Sequence, residues 1–122
     1  MSALVIFSPD VRRLASFYQR VLGAQPTIEG SGDIRLRTDL DEVLIHSMPK
    51  KIAAQIAISV PPAPRSDSPI KPVFEVASLS DALEHVEAAG GVVTTFTFRH
   101  EGLTRHDVLD PDGNVIQLRS ED

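Results

Sequence analysis

Two rhythms of apolar residues alternate along this chain. Ala3 to Phe7 is a short apolar run of strand length. Leu14, Phe17, Tyr18, Val21 and Leu22 then fall three and four apart, which marks one face of a helix. Ser8 or Asp10 can cap its start, and Gly23 marks its end. The period then drops to two. DIRLRT (33–38) and EVLIHS (42–47) read as strands, and Thr27 to Glu29 adds a short one. The same order returns downstream. A strand near Val73 leads into a helix carrying Leu79, Ala82, Leu83 and Val86 on one face. Ser78 and Asp81 resemble a capping box, and Gly90 or Gly91 ends that helix. VVTTFTF (92–98), TRHDVL (104–109) and NVIQLR (114–119) complete the second set of strands.

The return is an internal repeat. ALVIFSPDVRRLASFYQRVLG (3–23) aligns without gaps with KPVFEVASLSDALEHVEAAGG (71–91), an offset of 68 (71 − 3). DLDEVLIH (39–46) aligns with DPDGNVIQ (110–117) at an offset of 71 (110 − 39), which sets Ile45 against Ile116 and His46 against Gln117. Each half reads as βαβββ. PPAPRSDSP (61–69) is the one break in composition and reads as an exposed, mobile connector. PKKIAAQIAISV (49–60) reads either as a short helix opened by Pro49 and followed by extended chain, the reading favoured here, or as a strand in which Ile56, Ile58 and Val60 alternate. The expected organisation is a single domain over 1–122, with module one at about 1–60, the linker at 61–69 and module two at 70–122.

In DPDGNVIQL (110–118), Asp-Pro-Asp-Gly forms a tight turn, with Pro111 setting φ. In the strand that follows, side chains alternate between faces. Ile116 and Leu118 are placed to pack under the helices, so Gln117 faces the other way with Val115 and Arg119.

Composition narrows the function. A net charge of −5 without a basic block argues against nucleic acid and anionic membrane as partners. The absence of cysteine excludes disulfides, thiolate metal sites and a cysteine nucleophile. The N-terminal apolar run is too short for a signal peptide, and no stretch reaches spanning length, so a cytoplasmic protein is expected. No serine has a recognisable base, and Gly30-Ser31-Gly32 opens no helix that could cradle a phosphate. His85 and His100 read as surface residues. Arg35 and Arg37 share one strand face and would suit an anion if that face lines a cleft.

SPDVRRLASFYQRVLG (8–23) and DPDGNVIQL (110–118), in this order and joined by the repeat, resemble the vicinal oxygen chelate superfamily. That group includes glyoxalases, extradiol dioxygenases, fosfomycin-resistance enzymes and bleomycin-binding proteins. The resemblance covers nearly the whole chain and is weakest at 49–69. It implies an α+β fold of two βαβββ modules whose curved sheets form a shared cleft, and commonly a homodimer. In metal-dependent members the ligands come from the first and last strands of each module. Carried over, those positions fall on Ala3, His46, Lys71 and Gln117. Ala3 has no donor atom, and Lys71 offers an ammonium with no lone pair. A divalent ion needs about three protein ligands, so no metal cofactor is expected.

The leading expectation is a metal-free member that binds a small organic molecule, neutral or acidic, in the cleft. Its candidate ligand-binding residues are His46, Lys71, Gln117, Arg37 and His106, between apolar walls of Ala3, Val5, Phe7, Val73 and Val115. Lys71 is the expected anion-holding cation, paired with Glu75 or with the ligand. One alternative is a metal-dependent lyase or dioxygenase with a shifted set of His46, His106 and Gln117. Another is a metal-free enzyme that moves a proton through Lys71 or His46. The sequence does not decide whether the chain is an enzyme.

Overall fold

The computed structural model describes residues 2–30, 32–65 and 67–122. The elements run β1 (Ser2–Ser8), α1 (Val11–Leu22), β2 (Gln25–Glu29), β3 (Asp33–Arg37), β4 (Asp41–Ser47), α2 (Lys50–Ala53), β5 (Val73–Glu75), α3 (Leu79–Ala88), β6 (Val92–His100), β7 (Leu103–Leu109) and β8 (Val115–Ser120). They form two four-stranded mixed sheets, ordered β1-β4-β3-β2 and β5-β8-β7-β6. In each, the first and last strands of the module pair in parallel and the other pairs are antiparallel.

Local chemistry accounts for the helices. Asp10 caps α1 by accepting from the Arg13 N–H, and Ser78 caps α3 by accepting from the Asp81 N–H. The α1 stripe buries Leu14, Phe17, Tyr18 and Val21 against β3 and β4, and α1 also packs on α3. One core joins both modules: Leu36, Val43 and Ile45 from the first sheet meet Phe74, Val108, Ile116 and Leu118 from the second. The segment 49–60 forms one turn of helix, α2, as its pattern predicts, and then chain without regular secondary structure. Among the described residues, no helix is long and apolar enough to cross a membrane.

Two expectations change. The connector is exposed at most of its described positions, as predicted, but it is seated on the 110–113 turn. Arg65 N–H donates to Gly113 O at 2.9 Å, Arg65 Nε donates to Asp112 O at 2.9 Å, and Pro62 is buried. Gly113 has φ +88°, and a Cβ there would fall 2.2 Å from Ala63 O, so the turn must be glycine for the linker to lie on it.

The repeat register also differs. Ile6 pairs with Ile45 in the first sheet and Phe74 with Leu118 in the second. The first strands keep the offset of 68 (74 − 6), but the last strands are related by 73 (118 − 45). The counterpart of Gln117 is therefore Leu44, and the counterpart of His46 is Arg119. A slip of two residues keeps every side chain on its own face, so alternation alone cannot detect it.

Candidate functional site

Alternation sends half of each strand under the helices and half to the helix-free face. On β8, Ile116 and Leu118 are fully buried in the core and Gln117 lies on the opposite face with Val115 and Arg119, as predicted. Asp107 stands opposite Gln117 on β7, and Arg105 stands opposite Arg119. Lys71, just before β5, reaches across this face. Its Nζ donates to Asp107 Oδ2 at 2.6 Å. Asp107 Oδ1 accepts from Gln117 Nε2 at 3.1 Å, and Gln117 Oε1 accepts from Arg105 Nη1 at 3.3 Å. Gln117 is only 6% exposed, so its amide is committed at both ends. Arg119 pairs with Glu75 at 3.3 Å. Lys71 thus takes Asp107, not Glu75, because Asp107 lies within reach on the same face.

Phe96 and Phe98 border this network. Their ring centroids lie 5.4 Å apart, and the Lys71 ammonium is 5.4 Å from the Phe96 centroid. An ammonium over an aromatic face is held by the ring quadrupole.

The other predicted residues lie apart from this cluster. His46 makes its polar contacts within the first module: Nδ1 lies 2.8 Å from Ser47 O, and Nε2 lies 3.3 Å from Asp33 Oδ2. Its ring sits 5.1 Å from that of Phe7. Arg37 is tied to Glu42 at 2.9 Å, and Arg35 to Glu29 and Glu42. His106 is paired with Leu118 in register, on the face of the core, and its Nε2 lies 2.6 Å from Thr94 O. It does not join Gln117, so the structure does not assemble the shifted set of His46, His106 and Gln117. Where the modules meet, a cavity of about 220 Å³ is lined by Val5, Phe7, Tyr18, Ile70 and Val115. The apolar walls predicted from β1 and β8 meet here, without Lys71 or Gln117.

The helix carrying Phe-Tyr and the Asp-Pro-Asp-Gly turn meet directly. Tyr18 OH donates to Asp110 Oδ2 at 2.7 Å inside the core. Burial, reinforced by the Asp110 carboxylate, holds the Tyr18 hydroxyl well above its ordinary value of about 10. Above that pH the unfolded chain releases the Tyr18 proton while the native chain keeps it. The native state then binds more protons, and stability falls as pH rises. Tyr18 is the chain's one tyrosine. Tyr18→Phe is expected to be less stable at neutral pH and to lose less stability between about pH 9 and 11. Denaturant midpoints across that range check it; parallel curves for the two proteins would refute it.

Over residues 1–118 the sequence matches the family model described as Glyoxalase/Bleomycin resistance protein/Dioxygenase superfamily. The chain belongs to this superfamily. Solved structures of similar fold include a glyoxalase/bleomycin resistance protein/dioxygenase family enzyme from Burkholderia phytofirmans PsJN, at 19% identity and TM-score 0.70, covering 99% of this chain and 98% of that one. The fosfomycin resistance protein FosX from Mesorhizobium loti has 14% identity and TM-score 0.68, covering 98% of this chain and 90% of that one. An integron cassette structure from the mobile metagenome of V. pseudocholerae has 24% identity and TM-score 0.65, covering 100% of this chain and 94% of that one. These likenesses establish the fold. No curated protein sequence matches the chain significantly.

Of the four positions that the resemblance suggests for metal ligands, strand pairing moves one from His46 to Leu44, which has no donor atom. Ala3 has no donor atom. Lys71 presents an ammonium already bound to Asp107, Gln117 spends its carbonyl oxygen on Arg105, and His46 is turned to Asp33. Among the described residues, no three His, Asp or Glu side chains gather as a metal site would require. Arg105 and Asp107, which alternation puts on one face of β7, are not among the residues picked out from the sequence. The available signal was their position opposite Gln117 and Arg119, which becomes visible once β7 and β8 are paired.

Proposed function

We propose that this chain is a metal-independent member of the superfamily that binds a small organic molecule on the helix-free face of its sheets. The observation that carries the reading is the chain of contacts from Lys71 through Asp107 and Gln117 to Arg105. Two positions that hold a metal in metal-dependent members are here consumed by an internal polar network. A divalent ion brought to this face meets an ammonium already paired with the nearest carboxylate, and the two cations repel strongly at short range. Val5, Phe7, Val73 and Phe96 are exposed apolar groups on the same side of the sheets. They supply the apolar contact that a small organic ligand needs beside a few placed polar groups, and they fit a homodimer that covers part of this surface.

The test is elemental analysis of protein purified without chelator, with melting curves in added Zn, Ni, Mn or Fe. No stoichiometric metal and no metal-dependent rise in melting temperature are expected. About one metal per chain, lost on chelation with a fall in melting temperature, would refute metal independence. Light scattering on the same sample is expected to give two chains per particle. A monomer at micromolar concentration would remove the dimer from the proposal.

A further inference from the structure

The charges on the helix-free face of the second sheet do not all find partners. Lys71 holds Asp107, and Arg119 holds Glu75, with Asp41 also within its electrostatic reach. Arg105 has no carboxylate within ion-pair distance among the described residues. Its Nη1 meets only the neutral amide oxygen of Gln117, and its Nε is buried with no hydrogen-bond acceptor. Arg119 stands directly opposite it on β8, and like charges facing each other across a strand pair are destabilising. An anion held at the outer nitrogens of Arg105 would remove that cost.

We infer that Arg105 is the carboxylate anchor of this face, and that the molecule it holds is a flat apolar acid with one negative charge. The inference rests on the proposed reading of this face as a small-molecule site and names its ligand class. The single charge follows from the count of cations on this face, where, of Lys71, Arg105 and Arg119, Arg105 alone has no carboxylate within ion-pair distance among the described residues. The flat apolar body follows from the neighbours. Phe98 stands opposite Arg105 on β6, and Phe96 lies beside Phe98. The two residues are 39% and 54% exposed, so both rings offer aromatic surface beside a guanidinium with no carboxylate partner. Gln117 is the positioning residue. Its Nε2 is fixed by Asp107, so its Oε1 must face Arg105 and hold the guanidinium in place. Lys71 acts through Asp107 and is not itself the anchor. A guanidinium also offers the fork geometry that a carboxylate fills with two hydrogen bonds.

The probes are 2-naphthoate and its uncharged isostere 2-naphthamide, titrated calorimetrically into the full chain, into Arg105→Gln and into Arg105→Lys. Naphthoate is expected to bind the native chain about tenfold or more tighter than naphthamide. Arg105→Gln should abolish that preference, so that acid and amide bind alike, and Arg105→Lys should restore part of it. Equal affinity for acid and amide, or an acid preference that survives Arg105→Gln, overturns the anchor and leaves the small-molecule reading standing. Binding of neither probe to the native chain overturns the flat-acid class. A melting-temperature panel of varied small molecules with no stabiliser then overturns the reading beneath it.

Discussion

Asp110→Ala is expected to lower the unfolding free energy by about 3 kcal/mol or more, enough to leave a domain of this size marginal. The carboxylate is fully buried and uses both oxygens. Oδ1 accepts from the Asp112 and Asn114 N–H groups at 3.0 and 2.9 Å. Oδ2 accepts from Tyr18 OH at 2.7 Å and Asn114 Nδ2 at 2.8 Å. Alanine removes every acceptor at once and leaves the donors in or near the core, where each unsatisfied group costs about 1–3 kcal/mol. Burial pushes the Asp110 carboxyl above the ordinary carboxylate range, while the hydrogen bonds from Tyr18 and Asn114 pull it down. Asp110→Asn keeps one acceptor oxygen but turns an NH₂ toward donors, so it should fall between alanine and the native chain. Urea titration of the three proteins measures the order. A loss below about 1 kcal/mol for alanine would show that the turn holds itself and that the tie to α1 is incidental.

That tie explains why so much of the fold is legible in the sequence. Phe17-Tyr18 and Asp-Pro-Asp-Gly lie far apart in the chain, yet they form one junction between the modules. The helical and strand periods bury most of what they predict: Leu14, Phe17, Tyr18 and Val21 on α1, Leu79, Ala82 and Val86 on α3, and Ile116 with Leu118 on β8, while Leu22 and Leu83 are only partly buried. What escapes is anything that leaves the face of a residue unchanged. Sliding β4 by two residues relative to β8 moves the partner of Gln117 from His46 to Leu44 without turning a side chain over. The candidate cluster divides for that reason. Gln117 and Lys71 do share a network, but they are joined by Asp107, a residue of β7 whose role depends on strand pairing. His46 follows its own strand to Asp33 and Phe7. Nothing in the sequence fixes which face His106 takes, and the pairing with Leu118 puts it on the side of the core.

Phe17→Ala tests the helix register and should cost about 3–5 kcal/mol. The ring is fully buried and meets Tyr18 edge-on at a centroid distance of 5.0 Å. Its other side lies against the loop that follows α3. A Cβ on Gly91 would fall 2.6 Å from Phe17 Cε2 and 2.4 Å from Leu109 O, so the backbone there already lies against the ring. Removing the ring opens a void between two helices and a sheet that are held by other contacts. The surroundings therefore collapse only in part, and the cavity cost adds to the lost transfer energy. Phe17→Leu fills much of the space and should recover most of the stability. The chain has no tryptophan, so far-ultraviolet circular dichroism in urea is the suitable readout. Equal midpoints for the alanine variant and the native chain would mean that Phe17 does not anchor α1 in the shared core.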